Sequence, residues 1–193
     1  MIKVGITGGI GSGKSIVCAL FAGIGIPVYD SDSRAKKLMN EDETIKQSLT
    51  GYFGKEIYAE GTLNRSLLAQ RIFNNKPALE FVNNIVHPAV RNDFLQWASC
   101  QNAPYVIEEA ALLFESNAYQ LLDKVITVSC PEELRIQRVI ERDKTTRENV
   151  LQRIKNQLPE SEKVNRSDFV IINDDQHSLI EQVNNIHIKL KAL

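Results

Sequence analysis

The sequence predicts an α/β protein in which helices cover both faces of a parallel sheet of about five strands. Short apolar runs rich in β-branched residues recur along the chain, and stretches with the helical spacing of apolar residues lie between them. Because parallel neighbours need crossover connections, this alternation favours a parallel sheet in a three-layer α/β/α arrangement. The predicted strands are Ile2 to Thr7, Ile26 to Tyr29, Tyr105 to Ile107, Val125 to Val128 and Phe169 to Ile172.

The predicted helices divide the chain into a core and an inserted part. Ser15 to Ala22 has helical composition, and from Ser31 to about Gln101 the pattern is mainly helical. The second stretch is longer than one crossover requires, so we expect a helical subdomain of residues 31–102 inserted into a core of residues 1–30 and 103–193. Further helices are predicted from about Pro131 to Arg142, from Thr146 to Gln157 and from Leu179 to Leu190.

Length, charge and cysteine content exclude several classes of protein. The 193 residues fit one domain with an inserted part, at roughly 150 residues per domain. The 23 basic and 24 acidic residues nearly balance, so a dedicated nucleic-acid binder or a polybasic membrane protein is not expected. No apolar run approaches the ~20 residues of a membrane span, and no signal-peptide pattern opens the chain. The three widely spaced cysteines do not suggest a disulfide framework. We expect a cytoplasmic protein, and a monomer more readily than an oligomer.

A phosphate-binding loop is the strongest functional signal. Residues 8–15 match the pattern G-x-x-x-x-G-K-[ST] between a predicted strand and a predicted helix. Glycines let the backbone approach phosphates, while the loop N–H groups and the helix dipole attract anions. Lys14 would bridge the β- and γ-phosphates and Ser15 would ligate Mg²⁺. The predicted nucleotide-binding residues here are Gly8, Gly9, Ile10, Gly11, Ser12, Gly13, Lys14, Ser15 and Ile16.

Two aspartates follow the second predicted strand, at the edge where parallel sheets bind ligands. In Asp30-Ser31-Asp32, Asp32 is suited to orient an alcohol and to accept its proton late in phosphoryl transfer, since an alcohol with a pKa near ~16 is not deprotonated by a carboxylate in the ground state. The alternative is that these residues cap the following helix.

Residues 135–155 are strongly basic. Seven basic residues against three acidic ones give this stretch a charge of 7 − 3 = +4. Arginines on a mobile lid would neutralise charge on a transferred phosphoryl group. We expect this role for Arg138 and Arg142, and the alternative is a solvated helical face.

Together the motifs resemble the dephospho-CoA kinase family over nearly the whole chain. The resemblance implies transfer of the γ-phosphoryl group of ATP, with Mg²⁺, to the 3′-hydroxyl of the dephospho-CoA ribose. It implies a P-loop kinase fold with a helical subdomain that binds the coenzyme and a small helical lid at about residues 135–157. The matching segments are Ile6 to Ser15, Asp30 to Asp32, Phe53-Gly54, Gly61 to Arg65, His87-Pro88, Leu112 to Glu115, Arg142-Asp143 and Thr146-Arg147.

The same resemblance assigns roles to individual residues. Asp32 takes the position of the catalytic base, and the expected catalytic set is Asp32, Lys14 and Arg142. The expected substrate contacts are Thr7, Asp32, Lys36, Arg65 and His87. For His87 the alternative is a position beside the start of a helix that opens at Pro88.

The chain departs from the family at three positions: the family usually has Thr where this chain has Ile16, Arg where it has Lys36, and Pro where it has Ala111. Lys36 keeps the positive charge and loses the planar fork of an arginine. Glu109, at the end of the third predicted strand, is either an acid near Mg²⁺ or a carboxylate facing solvent.

Two other functions remain open at this point. One is a kinase for another small metabolite, such as a nucleoside or nucleotide. The other is a regulator that binds ATP, hydrolyses it slowly and signals by a change of shape. A GTPase is not expected, because the Asn75-Lys76-Pro77-Ala78 segment lacks the aspartate of a guanine-reading motif.

Overall fold

The computed structural model describes residues 1–73 and 75–193. Within them the chain forms two compact units, one of Met1–Asp30 with Ala98–Leu193 and the other of Ser31–Trp97. Among the described residues, no helix is long and apolar enough to cross a membrane.

The strands, in chain order, are β1 (Ile2–Thr7), β2 (Val28–Asp30), β3 (Tyr58–Ala59), β4 (Thr62–Leu63), β5 (Tyr105–Glu109), β6 (Lys124–Ser129) and β7 (Phe169–Ile172). The α-helices are α1 (Lys14–Gly23), α2 (Ser31–Glu41), α3 (Glu43–Phe53), α4 (Arg65–Ile72), α5 (Lys76–Ser99), α6 (Glu132–Asp143), α7 (Arg147–Lys155), α8 (Glu160–Asn165) and α9 (Leu179–Lys191). Two 3₁₀ segments occupy Lys55–Ile57 and Ala118–Leu121.

The first unit is built on a five-stranded sheet with the order β2-β5-β1-β6-β7. Every pair in it is parallel, which confirms the predicted parallel sheet. The strand β1 lies in the centre, and the chain crosses from it to β2 on one side and later to β6 on the other. Parallel sheets bind ligands at the carboxyl ends of the strands, at the point where the chain changes from building one side of the sheet to building the other. The loop after β1 lies at that point.

The two faces of the sheet bury different apolar clusters. Val4 and Ile6 are fully buried in a cluster with residues of α1 and α9. Because side chains alternate along a strand, Gly5 faces the opposite side, where a Cβ atom would collide with Leu113 and Leu122. Helices or connecting segments therefore cover both faces, as a three-layer arrangement requires.

The second unit contains α2, α3, α4 and most of α5, with a short β3–β4 hairpin. Asp42 caps α3 by accepting hydrogen bonds from the backbone N–H groups of Thr44 and Ile45, at 2.8 and 3.0 Å. The sequence did not predict the hairpin, because strands of two residues show no alternation. Its turn, Glu60-Gly61, has positive φ at both residues, 50° and 78°, the geometry of a tight hairpin turn.

Two local predictions are wrong. The second strand begins at Val28 rather than Ile26, and Pro27 serves only as an acceptor, from the Ile107 N–H at 2.9 Å, because proline has no N–H to donate. Pro88 lies inside α5 rather than at a helix start, so His87 is also within the helix. Packing of α5 outweighs the hydrogen bond that a helix loses at an interior proline.

A buried ion pair ties the loop after β5 to α8. The Lys163 ammonium is fully buried and lies 2.9 Å from Oε1 of Glu115. It also donates to the backbone carbonyl of Ala111 at 2.9 Å. Removing one partner of a buried ion pair leaves the other charge uncompensated, which is strongly destabilising.

We expect Lys163→Met to destabilise the protein by about 3–5 kcal/mol, because it keeps the apolar stem but leaves the Glu115 carboxylate without its partner. Urea unfolding measures the change. The control is Lys76→Met, whose ammonium lies 3.9 Å from Glu80 with side chains 87% and 61% exposed; it should change stability by less than about 1 kcal/mol. Equal stability of the two variants would contradict a structural role for the buried pair.

Candidate active site

The phosphate-loop residues 8–13 connect β1 to α1. Gly11 and Gly13 adopt positive φ values of 80° and 90°, a conformation that side chains with a Cβ atom rarely adopt. Gly13 is the N-cap residue of α1, and no side chain caps this helix. The backbone N–H groups and the positive end of the helix dipole therefore meet at the loop, as anion binding requires.

Three side chains from distant segments hold this loop. The Asn173 carboxamide, directly after β7, donates to the Ser12 carbonyl oxygen at 2.7 Å. The Gln157 side-chain oxygen, after α7, accepts from the Ile10 N–H at 2.9 Å. The guanidinium of Arg135 lies so close to Gly9 that a Cβ atom there would collide with it. The shape of the loop thus depends on segments far along the chain.

Lys14 and Ser15 open α1 at the end of this loop. Nζ of Lys14 donates to the Gly8 carbonyl oxygen at 3.3 Å, which keeps the ammonium over the loop. Oγ of Ser15 donates to Oε1 of Glu109 at 3.1 Å. Burial, followed by the neighbouring Glu109 carboxylate, raises the pKa of the Cys18 thiol well above its ordinary value. The Ser15 hydroxyl and the Glu109 carboxylate thus lie together beside the loop.

Two other predicted residues of the first unit differ in exposure. Thr7 is fully buried, and its hydroxyl donates to the Ala111 carbonyl oxygen at 3.3 Å. Ile16, by contrast, has 57% of its surface exposed. The structure places Thr7 beneath the loop and Ile16 on the outer side of the first turn of α1.

The arginines of α6 are paired with acids. Arg138 contacts Asp175 and lies beside Asn173, so it is close to the loop that Asn173 holds. Arg142 is 62% exposed, with Nε 2.7 Å from Oδ1 of Asp143. This pair, mainly through the Arg142 hydrogen bond, lowers the pKa of Asp143 and raises that of Arg142.

The other predicted residues lie in the second unit. Asp32 is in the first turn of α2 and is exposed, as are Lys36 on the same helix and Arg65 at the start of α4. His87 is half-buried in α5. Burial, and then the positive charge of Arg91, lowers the pKa of His87 below its ordinary value, which favours the neutral ring.

Arg34 lies between Asp32 and Lys36 on α2 and binds a residue of α5. Its Nε donates to Oδ2 of Asp93 on α5 at 2.8 Å. The Arg34 guanidinium thereby holds α2 against α5. It also holds the first turn of α2, which carries Asp32.

Sequence reasoning did not single out the polar residues Arg135, Gln157 and Asn173, which lie against the phosphate loop. A signal existed for Asn173, which directly follows the last strand at the carboxyl edge of the sheet. Arg135 was part of the basic stretch but was not singled out. Gln157 shows no local pattern that predicts its bond to Ile10.

Comparisons with known proteins agree over almost the entire chain. A family model described as dephospho-CoA kinase matches residues 2–178. A dephospho-CoA kinase from Porphyromonas gingivalis is 44% identical over 184 residues, covering 95% of this chain and 91% of that protein. One from Bacteroides fragilis is 42% identical over 183 residues, covering 94% and 89%. The crystal structure of a Thermus thermophilus protein superposes with a TM-score of 0.86 at 35% identity, covering 97% and 96%.

These matches span the sheet, the phosphate loop and the helical unit, and they confirm both the predicted fold class and the predicted family. The chain belongs to the dephospho-CoA kinase family.

Proposed function

We propose that this protein transfers the γ-phosphoryl group of ATP to the 3′-hydroxyl of the dephospho-CoA ribose, giving coenzyme A and ADP. The observation that carries the proposal is the phosphate loop between β1 and α1, with its left-handed glycines and its uncapped helix, in a member of this family. The loop supports a triphosphate as the donor, and the family supports dephospho-CoA as the acceptor.

In the proposed reaction the loop N–H groups bind the triphosphate and Lys14 neutralises charge on the γ-phosphoryl group. Because the transition state of phosphoryl transfer spreads charge over the phosphoryl oxygens, a cation fixed at this position stabilises it more than the ground state. The 3.3 Å contact to the Gly8 carbonyl keeps the ammonium of Lys14 in place before ATP arrives.

Ser15 and Glu109 fit a Mg²⁺ ion. Their oxygens, 3.1 Å apart, are the hard ligands that Mg²⁺ prefers, and such sites combine one or two protein ligands with phosphate oxygens and waters. Bound there, the ion would supply positive charge to the phosphates of ATP. Glu109 also lies opposite Ile6 and Asp30 in the sheet register, at the carboxyl edge of three strands.

Asp32 is proposed as the residue that receives the acceptor hydroxyl. It lies in the first turn of α2, two residues along the chain after β2 ends, and its carboxylate is exposed. It would orient the 3′-hydroxyl and accept its proton as the phosphoryl group transfers. The alternative role, stabilising the start of α2, is separated from this one by the Asp32→Asn variant.

The helical unit is proposed to contact dephospho-CoA, while the contact predicted for Thr7 stays a prediction, since its side chain is fully buried. In the helical unit, Lys36, Arg65 and His87 would provide the contacts, with the two cations suited to phosphate oxygens. The hairpin of α6 and α7 would act as the lid, through Arg138 and Arg142. We further propose a cytoplasmic, monomeric enzyme, tested by fractionation and by sedimentation.

A coupled assay of ADP release tests the reaction, with dephospho-CoA, a set of nucleosides and nucleotides, and no acceptor in parallel. Rapid turnover only with dephospho-CoA is expected. Turnover with a nucleoside or nucleotide alone would favour another metabolite kinase, and equal slow turnover without acceptor would favour a nucleotide-hydrolysing regulator.

Lys14→Ala should lower kcat by more than about a hundredfold, because it removes the preorganised cation at the γ-phosphoryl group. Steady-state rates and a thermal melt measure activity and folding together. Wild-type turnover with an unchanged melt would remove the phosphate loop from the mechanism.

Asp32→Asn should lower kcat by about a hundredfold or more, since the amide matches the carboxylate in size but does not accept the hydroxyl proton. ATP affinity, measured by titration, should stay near that of the wild type. The control Asp30→Asn should alter positioning or stability only. A loss of ATP affinity in proportion to the loss of rate would make Asp32 a metal or phosphate ligand instead.

Arg142→Lys should slow single-turnover transfer by roughly tenfold, because it keeps the charge but loses the planar fork. The matched control is Arg147→Lys on the same hairpin, whose fork binds Glu133 at 2.8 and 2.6 Å and which should transfer at the wild-type rate. Equal rates for wild type, Arg142→Lys and Arg142→Ala would exclude Arg142 from the chemical step and transfer the lid role to Arg138.

A further inference from the structure

Gln157 and Leu158, the second and third residues after α7 ends at Lys155, are both held by other parts of the first unit. Oε1 of Gln157 accepts from the Ile10 N–H at 2.9 Å. The N–H of Leu158 donates to Oε1 of Glu115 at 2.8 Å. The chain is therefore fixed at the point where the α6–α7 hairpin ends.

The carboxylate that binds the Leu158 N–H is itself held by buried contacts. Glu115 is bound by the fully buried ammonium of Lys163 at 2.9 Å, which also binds the Ala111 carbonyl oxygen. The Leu158 side chain packs against the cluster that contains Leu113 and Phe114. A side chain on such an anchored backbone loses little further freedom when it makes a hydrogen bond.

Ile10 is held on its other side as well. Its side chain packs against a cluster of Ile136, Val139 and Val150 from α6 and α7. At the next residue, a Cβ atom on Gly11 would meet the Arg135 carbonyl oxygen and Val139. The third residue of the phosphate loop is thus bound to the α6–α7 hairpin by both its side chain and its N–H.

We propose that Gln157 is a positioning residue for phosphoryl transfer. Its carboxamide oxygen fixes the peptide between Gly9 and Ile10, so that the remaining loop N–H groups keep the arrangement in which they converge on the triphosphate. Preorganised donors cost no rearrangement when charge develops, whereas a loop free to rotate at this peptide would first have to be ordered. The proposal rests on the kinase activity proposed above.

The test compares two glutamines that make the same kind of bond. Gln157→Met keeps the length of the side chain and removes the strong acceptor. The control is Gln182→Met, since Oε1 of Gln182 accepts from the Ile172 N–H at 2.8 Å and its Nε2 donates to the Ile172 carbonyl at 2.9 Å. Steady-state constants for ATP and for dephospho-CoA are measured for both, together with ATP titration and thermal melts.

We expect Gln157→Met to lower kcat/KM for ATP by about five- to tenfold, the effect of one lost hydrogen bond. The KM for dephospho-CoA should change by less than about twofold, because the change acts on the donor side of the reaction. Gln182→Met should leave all of these constants at wild-type values. A uniform loss of folded protein would also lower kcat/KM for ATP and leave the KM for dephospho-CoA unchanged, so the thermal melt and the ATP-binding fraction found by titration must match those of the wild type.

Gln157→Glu restores an acceptor oxygen at the same reach. At saturating ATP, where repulsion between the new charge and the nucleotide no longer limits binding, its kcat should exceed that of Gln157→Met. If Gln157→Met does not fold, the proposal is judged on Gln157→Glu, whose kcat should then be within about threefold of the wild type.

Three outcomes would overturn the proposal: wild-type constants for folded Gln157→Met, a lower melting temperature with unchanged constants, or a kcat for Gln157→Glu no higher than that of Gln157→Met. None of these is confused with failure of the proposed function, which would appear as a wild-type protein that does not phosphorylate dephospho-CoA.

Discussion

The site depends on one constraint: a glycine-rich loop must leave its N–H groups available to an anion and still keep a single shape. Glycines at positive φ supply the shape but also the freedom to lose it. Here the loop is held from outside, by Asn173 at the Ser12 carbonyl, by Gln157 at the Ile10 N–H and by Arg135 against Gly9. The Asn173 contact uses a carbonyl oxygen, and the Gln157 contact occupies one N–H group, that of Ile10.

A second constraint is the repulsion between the like-charged basic residues of α6 and α7. Their excess of basic residues is balanced by acids that lie outside the basic stretch in sequence, such as Glu133 for Arg147 and Asp175 for Arg138. Arg135, nearly buried, lies 3.3 Å from Glu160. These pairs limit repulsion between the arginines.

Much of the fold was predictable because its signals are local. Strand β1, the glycines and Lys14 form one continuous pattern, and the other strands of the sheet are short runs with β-branched residues. The β3–β4 hairpin was missed because two-residue strands carry no period, and Pro88 was misplaced because helix packing outweighed its local preference for a helix start. For the site, the loop was predictable as a motif, whereas the sequence left two roles open for Glu109. Its contact with Ser15 arises because β5 lies beside β1.

The remaining contacts of the loop were not predictable from local sequence, and the reason is distance along the chain. Asn173 is 161 residues from Ser12, and Gln157 is 147 residues from Ile10. No periodicity connects such positions, since only the packed sheet brings the ends of β1 and β7 to one edge. The consequence is that the phosphate loop is a motif in sequence but a product of the whole first unit in structure. The shape of the loop therefore depends on the fold that holds it, including residues far from it along the chain.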